Sequence, residues 1–143
     1  MKLFNTNYNH QSLNIGLLIL RLGIAAFMLS HGLQKLDGLL AGNMKFADPI
    51  GIGEPISLIM AVMAEVGCSL LVAIGLATRV AVIPLIFTML VAVFIVHAAD
   101  GFAKQEMAAH YLLVYVFLLF SGAGKFSVDY LISRNSSRSR RKY

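Results

Sequence analysis

Four apolar runs, three clearly long enough to cross a bilayer, constrain this chain more than any other feature. A helix rises about 1.5 Å per residue, so it needs about 20 mostly apolar residues to cross the hydrocarbon core. Runs of this kind lie at about 13–36, 55–76, 80–99 and 105–122. The fourth is the least apolar. It reaches full length only by including Gln105 and Gly122 around the stretch YLLVYVFLLF. Composition agrees with the runs: 58% of the 143 residues are hydrophobic, 13% are charged, and the mean hydropathy is +0.76. A soluble domain has about a quarter of its residues charged. A chain so short of polar surface must face lipid. The expected fold is therefore all-α, an integral membrane four-helix bundle formed by residues 1–133.

The connections and the charges orient such a bundle. Residues 37–54 (DGLLAGNMKFADPIGIGE) form a longer loop, ending at a proline, Pro55, suited to the first turn of a helix. Gly75–Arg79 (GLATR) is a tight turn, and residues 100–106 (DGFAKQE) link the last two runs. With four spans, both termini and the GLATR turn share one side. That side carries Lys2, Arg79, Lys125 and five of the twelve Lys and Arg residues, all in the tail RNSSRSRRKY at 134–143. The other side mixes Lys35, Lys45 and Lys104 with Asp37, Asp48, Asp100 and Glu106. Basic residues in short loops stay in the cytoplasm, which puts both termini there. The tail is expected to lack a fixed fold and to meet anionic lipid, not nucleic acid, because it directly follows an apolar segment. The first run continues past Ala25 and Ala26 without polar flanks and carries Arg21, so it reads as a span and not as a cleaved leader. A single cysteine, Cys68, leaves no CxxC redox pair and no internal disulfide.

Ionisable groups at membrane depth cost about 2.5–3.5 kcal/mol to insert, so they face the bundle interior and find partners. Arg21 and Glu65 both fall near mid-span when counted along their runs, and an Arg21–Glu65 structural ion pair is the expectation. A second constellation lies at the outer ends. His31, Gln34 and Lys35 share one helix face by their i, i+3, i+4 spacing. His97 closes the third run, and Glu106 and His110, four apart, open the fourth. Histidines with a carboxylate could hold a metal or hydrogen-bond the oxygens of a quinone headgroup. No HExxH or similar pattern is present, so no metal site is assigned.

Taken together, RLG at Arg21–Gly23, HGLQKL at His31–Leu36, Glu65 with Gly67, GLATR, His97, Glu106 and GAGKFSVD at Gly122–Asp129 resemble the DoxX family of small membrane proteins. The resemblance runs from about Leu20 to Tyr130. The final motif departs from the family pattern at Ala123, where proline is usual. The resemblance implies a multi-pass protein of the bacterial cytoplasmic (inner) membrane with a role in respiratory or sulfur redox chemistry. The expected function is a quinone-associated redox subunit, possessing no haem or iron–sulfur signature, that works with a redox partner protein as part of a membrane oxidoreductase complex. Its polar site would comprise His31, Gln34, Lys35, Glu65, His97, Glu106 and His110. Association into a homo-oligomer is a further expectation. Two readings of other classes stay open: a small-solute or proton-coupled transporter, and a membrane assembly factor or chaperone.

Overall fold

The computed structural model describes residues 9–140, with side chains through Asn135. Five helices and no strands occur among the described residues: α1 (His10–Leu40), α2 (Glu54–Ile74), α3 (Thr78–Val96), α4 (Phe102–Ser121) and α5 (Val128–Arg140). By length and composition, α1, α2 and α3 can each cross a membrane. The fourth helix, α4, packs along α3 but is not among these three. The charges at its start, Lys104 and Glu106, and His110 one turn further dilute its apolarity. The basic segment 134–143, expected to lack a fixed fold, begins inside α5. Its last three residues lie outside the described ones.

Local chemistry accounts for the helix ends. Asn9 caps α1, its side-chain oxygen accepting from the backbone N–H of Gln11 at 3.0 Å and Ser12 at 3.2 Å. At the end of α2 the Gly75 N–H donates to Val72 and the Leu76 N–H to Leu71. This is the Schellman closure, and its left-handed residue is Gly75 with φ +72°. A Cβ at Gly75 would lie 2.5 Å from that of Ser127, so the close approach there also requires glycine.

The four long helices enclose a core that includes Leu17 and Met28 from α1, Val72 from α2, Val82, Leu85 and Met89 from α3, and Tyr115 and Leu118 from α4. Their outward faces are just as apolar: Ile19 and Phe27 on α1 and Phe94 on α3 are at least 65% exposed. The most deeply buried side chains, in contrast, include Arg21, Glu65, Ser69 and Thr78. Apolar outside and polar inside is the arrangement expected of helices bathed in lipid.

Two features set the register between α1 and α2. Gly32 lets the helices touch: a Cβ there would lie 2.8 Å from Val66 Cγ2 and 2.9 Å from Glu65 Cβ. At the same level, α2 widens into a π-helical stretch, Met63–Cys68. A second π-helical stretch, Ala92–Val96, ends α3. Such insertions rotate the residues beyond them and recur at functional sites.

Arg21 does not pair with Glu65. Glu65 lies beside Gly32, eleven residues further along α1, or about 16 Å by helical rise. That gap exceeds the reach of an arginine side chain. Instead Arg21, 1% exposed, fastens the opposite end of the molecule. Its Nε donates to the Val72 carbonyl at 2.9 Å, which also accepts from Gly75, and its Nη2 to the Ala73 carbonyl at 2.9 Å, tying α1 to the last turn of α2. Its Nη1 donates to the Phe126 carbonyl at 3.0 Å and also to that of Ala123. Asp129 completes the clasp. Its carboxylate accepts from the backbone N–H of Ala77 at 2.7 Å and Thr78 at 3.0 Å, capping α3. Thus RLG, GLATR and GAGKFSVD, far apart in the chain, meet as one structural knot.

Candidate functional site

The other end of the helices holds a pocket of about 400 Å³. Its walls are α1, α2 and α3, Tyr111 of α4 closes one side, and the loop between α1 and α2 covers it through Phe46 to Ile52. The lining is mostly apolar, and the exposed side chains of Met60, Phe87 and Val96 rim it on α2 and α3. A pocket of this volume with few polar groups is the usual form of a small-molecule site.

Four of the sequence-derived site residues converge there: His31, Lys35, Glu65 and His97 all line the pocket. Lys35 forms an ion pair with Glu65 Oε1. The two partners differ in their surroundings, since the Glu65 side chain is 3% exposed and that of Lys35 is 29%. The Lys35 ammonium also lies 5.5 Å from the centre of the Phe46 ring, a cation–π contact that links the pair to the covering loop. The second carboxylate oxygen, Glu65 Oε2, is buried without a hydrogen-bond partner. His31 meets the edge of Tyr111, with ring centres 6.0 Å apart. His97 Nδ1 lies 2.9 Å from Asp100 Oδ2, while its backbone carbonyl accepts from Gln105 Nε2 at 2.9 Å. The His97–Asp100 contact and Lys104, 3.6 Å from Asp100, hold the Asp100 carboxyl below its ordinary range.

The remaining three residues lie elsewhere. Gln34 is exposed and lines neither this pocket nor the next. Glu106 and His110 share a face of α4 but open onto a second cavity of about 450 Å³ between α1 and α4. Tyr111 and Met107 form the partition between the two cavities. Sequence spacing shows which residues share a helix face, but the rotation of α4 against its neighbours decides which cavity that face meets.

Several site residues escape a reading of charges alone. Tyr111 stacks on Tyr115, with ring centres 6.2 Å apart. Their spacing of four, which puts both rings on one face of the run YLLVYVFLLF, was the available signal. Asp48 organises the covering loop. Its carboxylate accepts from Gly53 N–H at 2.8 Å, Ile52 N–H at 2.9 Å and Ser57 Oγ–H at 2.9 Å. The Gly53 bond first, helped by Ser57 and Ile52, holds the Asp48 carboxyl below its ordinary value of 3.8. A group depressed in the fold stabilises it above the unfolded value, and that contribution is lost as pH falls through the folded one. Amide hydrogen exchange at Ile52 and Gly53 should therefore quicken, after correction for intrinsic rates, only once the pH drops below about 3.8. In Asp48→Ala it should already be fast at pH 7.

This fold and site define a helical membrane protein with a polar-ended apolar pocket between its spans. The chain belongs to the DoxX family, whose family model matches residues 16–98. The match takes in Arg21, His31, Lys35, Glu65 and His97. A relative in Mycobacterium tuberculosis (strain ATCC 25618 / H37Rv), described as "Uncharacterized membrane protein Rv3486", is 31% identical over 138 residues, covering 82% of each chain. No solved structure matches.

Proposed function

We propose that the pocket is a quinone site and that the protein is a quinone-associated redox subunit of the bacterial inner membrane. The observation that carries this reading is Glu65. It is a carboxylate buried in an apolar pocket, with one oxygen on Lys35 and the other unpaired. Polar groups at membrane depth are retained for function more often than for stability. A quinone fits the donor set: a flat polar head for His31, Lys35 and Glu65, and an apolar body for Met60, Phe87 and Val96 at the rim. Bound there, it supplies two-electron chemistry coupled to protons. The chain's residues orient its oxygens and exclude water. Glu65 and His31 hold or pass the protons. The electrons come from a partner protein.

This reading places four spans in the bilayer, with both termini in the cytoplasm and the pocket toward the outer face. α4 supports it by its 20-residue length, and by Leu113 and Phe120, which are 69% and 77% exposed. Gentle purification followed by mass spectrometry of extracted lipids should recover quinone close to one per chain. Titration of a short-chain quinone into delipidated protein should show at least about tenfold weaker binding for Glu65→Gln and for His31→Phe, or about 1.4 kcal/mol. Retention of no quinone, together with unchanged behaviour of both variants, would remove the redox reading. Solute flux into liposomes that depends on Glu65 would favour transport instead. Stable co-purification with another membrane protein, indifferent to Glu65 and the histidines, would favour an assembly role.

A further inference from the structure

Three buried oxygens beneath the pocket make no hydrogen bond: Glu65 Oε2, Ser69 Oγ and the Tyr115 hydroxyl. Their side chains belong to two packed layers of the same interior. Ser69 follows Glu65 by four residues where α2 leaves its π-helical stretch, and Tyr115 stacks beneath Tyr111 on α4. Tyr111, on which Tyr115 stacks, lines the pocket together with Glu65, and Ser69 lies one turn beyond Glu65 on α2. Ser69 and Tyr115 nevertheless do not form a well-made hydrogen bond. All three residues are at most 2% exposed.

Each such group, left dry, costs about 1–3 kcal/mol, and native interiors almost always satisfy them. Three unpaired oxygens from three side chains of one interior are what a bound water requires, which typically makes two to four hydrogen bonds. Here the chemistry is complementary as well. The Glu65 carboxylate only accepts, whereas the two hydroxyls can donate and accept. The neighbouring π-helical stretch, Met63–Cys68, breaks the regular backbone ladder at this level.

We propose that water is bound inside the protein between Glu65, Ser69 and Tyr115, and that this hydrated triad is the proton store behind the pocket. Lys35 then holds Oε1 on the pocket side while water holds Oε2 on the inner side. A proton leaving a ligand hydroxyl passes to the Glu65 carboxylate, making a neutral acid. The acid O–H donates a hydrogen bond to the bound water, which holds the proton on Glu65 until it returns to a ligand oxygen and the carboxylate is restored. Only O–H bonds form and break, and Lys35 keeps its charge throughout. The proton-storing role rests on the quinone reading. The water site itself does not.

The test therefore uses ligand-free protein in detergent micelles. Magic-angle-spinning NMR on protein labelled with 13C-glutamate should show rapid transfer of magnetisation from water to the Glu65 carboxyl carbon, whose signal Glu65→Gln identifies. Tyr115→Phe and Ser69→Ala should each slow that transfer and lower Tm by several degrees. The double variant should lose less than the sum, because both hydroxyls hold the same water. The proposal is overturned if Glu65 receives no magnetisation from water in the unmodified protein. It is equally overturned if Tyr115→Phe leaves Tm unchanged or raised, the result expected of an orphan hydroxyl in dry packing. Quinone binding enters neither readout, so a failed quinone titration leaves this result standing, and the reverse is also true.

Discussion

Arg21→Ala should prevent the protein from accumulating in a folded, monodisperse state. The guanidinium supplies donors to four backbone carbonyls, those of Val72, Ala73, Ala123 and Phe126. Removing it leaves the Ala73, Ala123 and Phe126 carbonyls facing an apolar gap, Val72 keeping its bond from Gly75, and each buried unsatisfied group costs about 1–3 kcal/mol. The sum approaches the 5–15 kcal/mol or so that separates folded from unfolded states in typical domains. Arg21→Lys should rescue only part of the loss. An ammonium is a point donor and cannot span carbonyls arriving from both α2 and the segment before α5. Size-exclusion profiles and Tm in one detergent measure both variants. A profile and Tm for Arg21→Ala equal to those of the unmodified protein would show that the clasp contributes little.

The second large effect is an asymmetry at the Lys35–Glu65 pair. Lys35→Met should destabilise by about 3–5 kcal/mol, because it leaves a carboxylate buried with no counter-charge. Glu65→Gln should cost much less. The Lys35 side chain is 29% exposed and can turn its ammonium toward water, while glutamine fills the same space. The double variant Lys35→Met with Glu65→Gln should recover most of what Lys35→Met loses, since it removes the stranded charge. Thermal unfolding of the three variants gives the order directly. If Glu65→Gln were the more damaging of the two single changes, the carboxylate would be structural and the pocket would lose its best argument for function.

The Arg21–Glu65 expectation failed for an instructive reason. Counting residues from the edges of two apolar runs put both groups near mid-membrane, and opposite charges at equal depth invite pairing. Depth counted this way carries an error of several residues at each end. The contact between Gly32 and Glu65 moves the true partner nearly four turns along α1, to Lys35. Spacing alone puts Lys35 in the outer cluster, on the correct helix face, but does not show its partner. The outer cluster itself divided for a similar reason. His31, Lys35 and His97 reached one pocket together with Glu65, whereas α4 turned Glu106 and His110 toward another. Tyr115 and Ser69 carried no signal beyond helical spacing, because a hydroxyl in an apolar run reads the same whether it is satisfied or orphaned.

Hydrophobicity, which is local and additive, determined by itself that this chain is helical, that it lives in a membrane, and roughly where its three most apolar helices run. The glycines of GLATR and GAGKFSVD likewise announced where helices must end, since their left-handed φ values are a property of the residue. Tertiary structure alone decided which charge answers which. Pairing depends on the rotation and offset of whole helices, and those are set by one close contact at Gly32 and one extra residue's worth of π-helical turn beside Glu65. An offset of about 16 Å along α1, invisible in any stretch of sequence, turned Arg21 into a clasp and left Glu65 with one free oxygen at the back of a pocket.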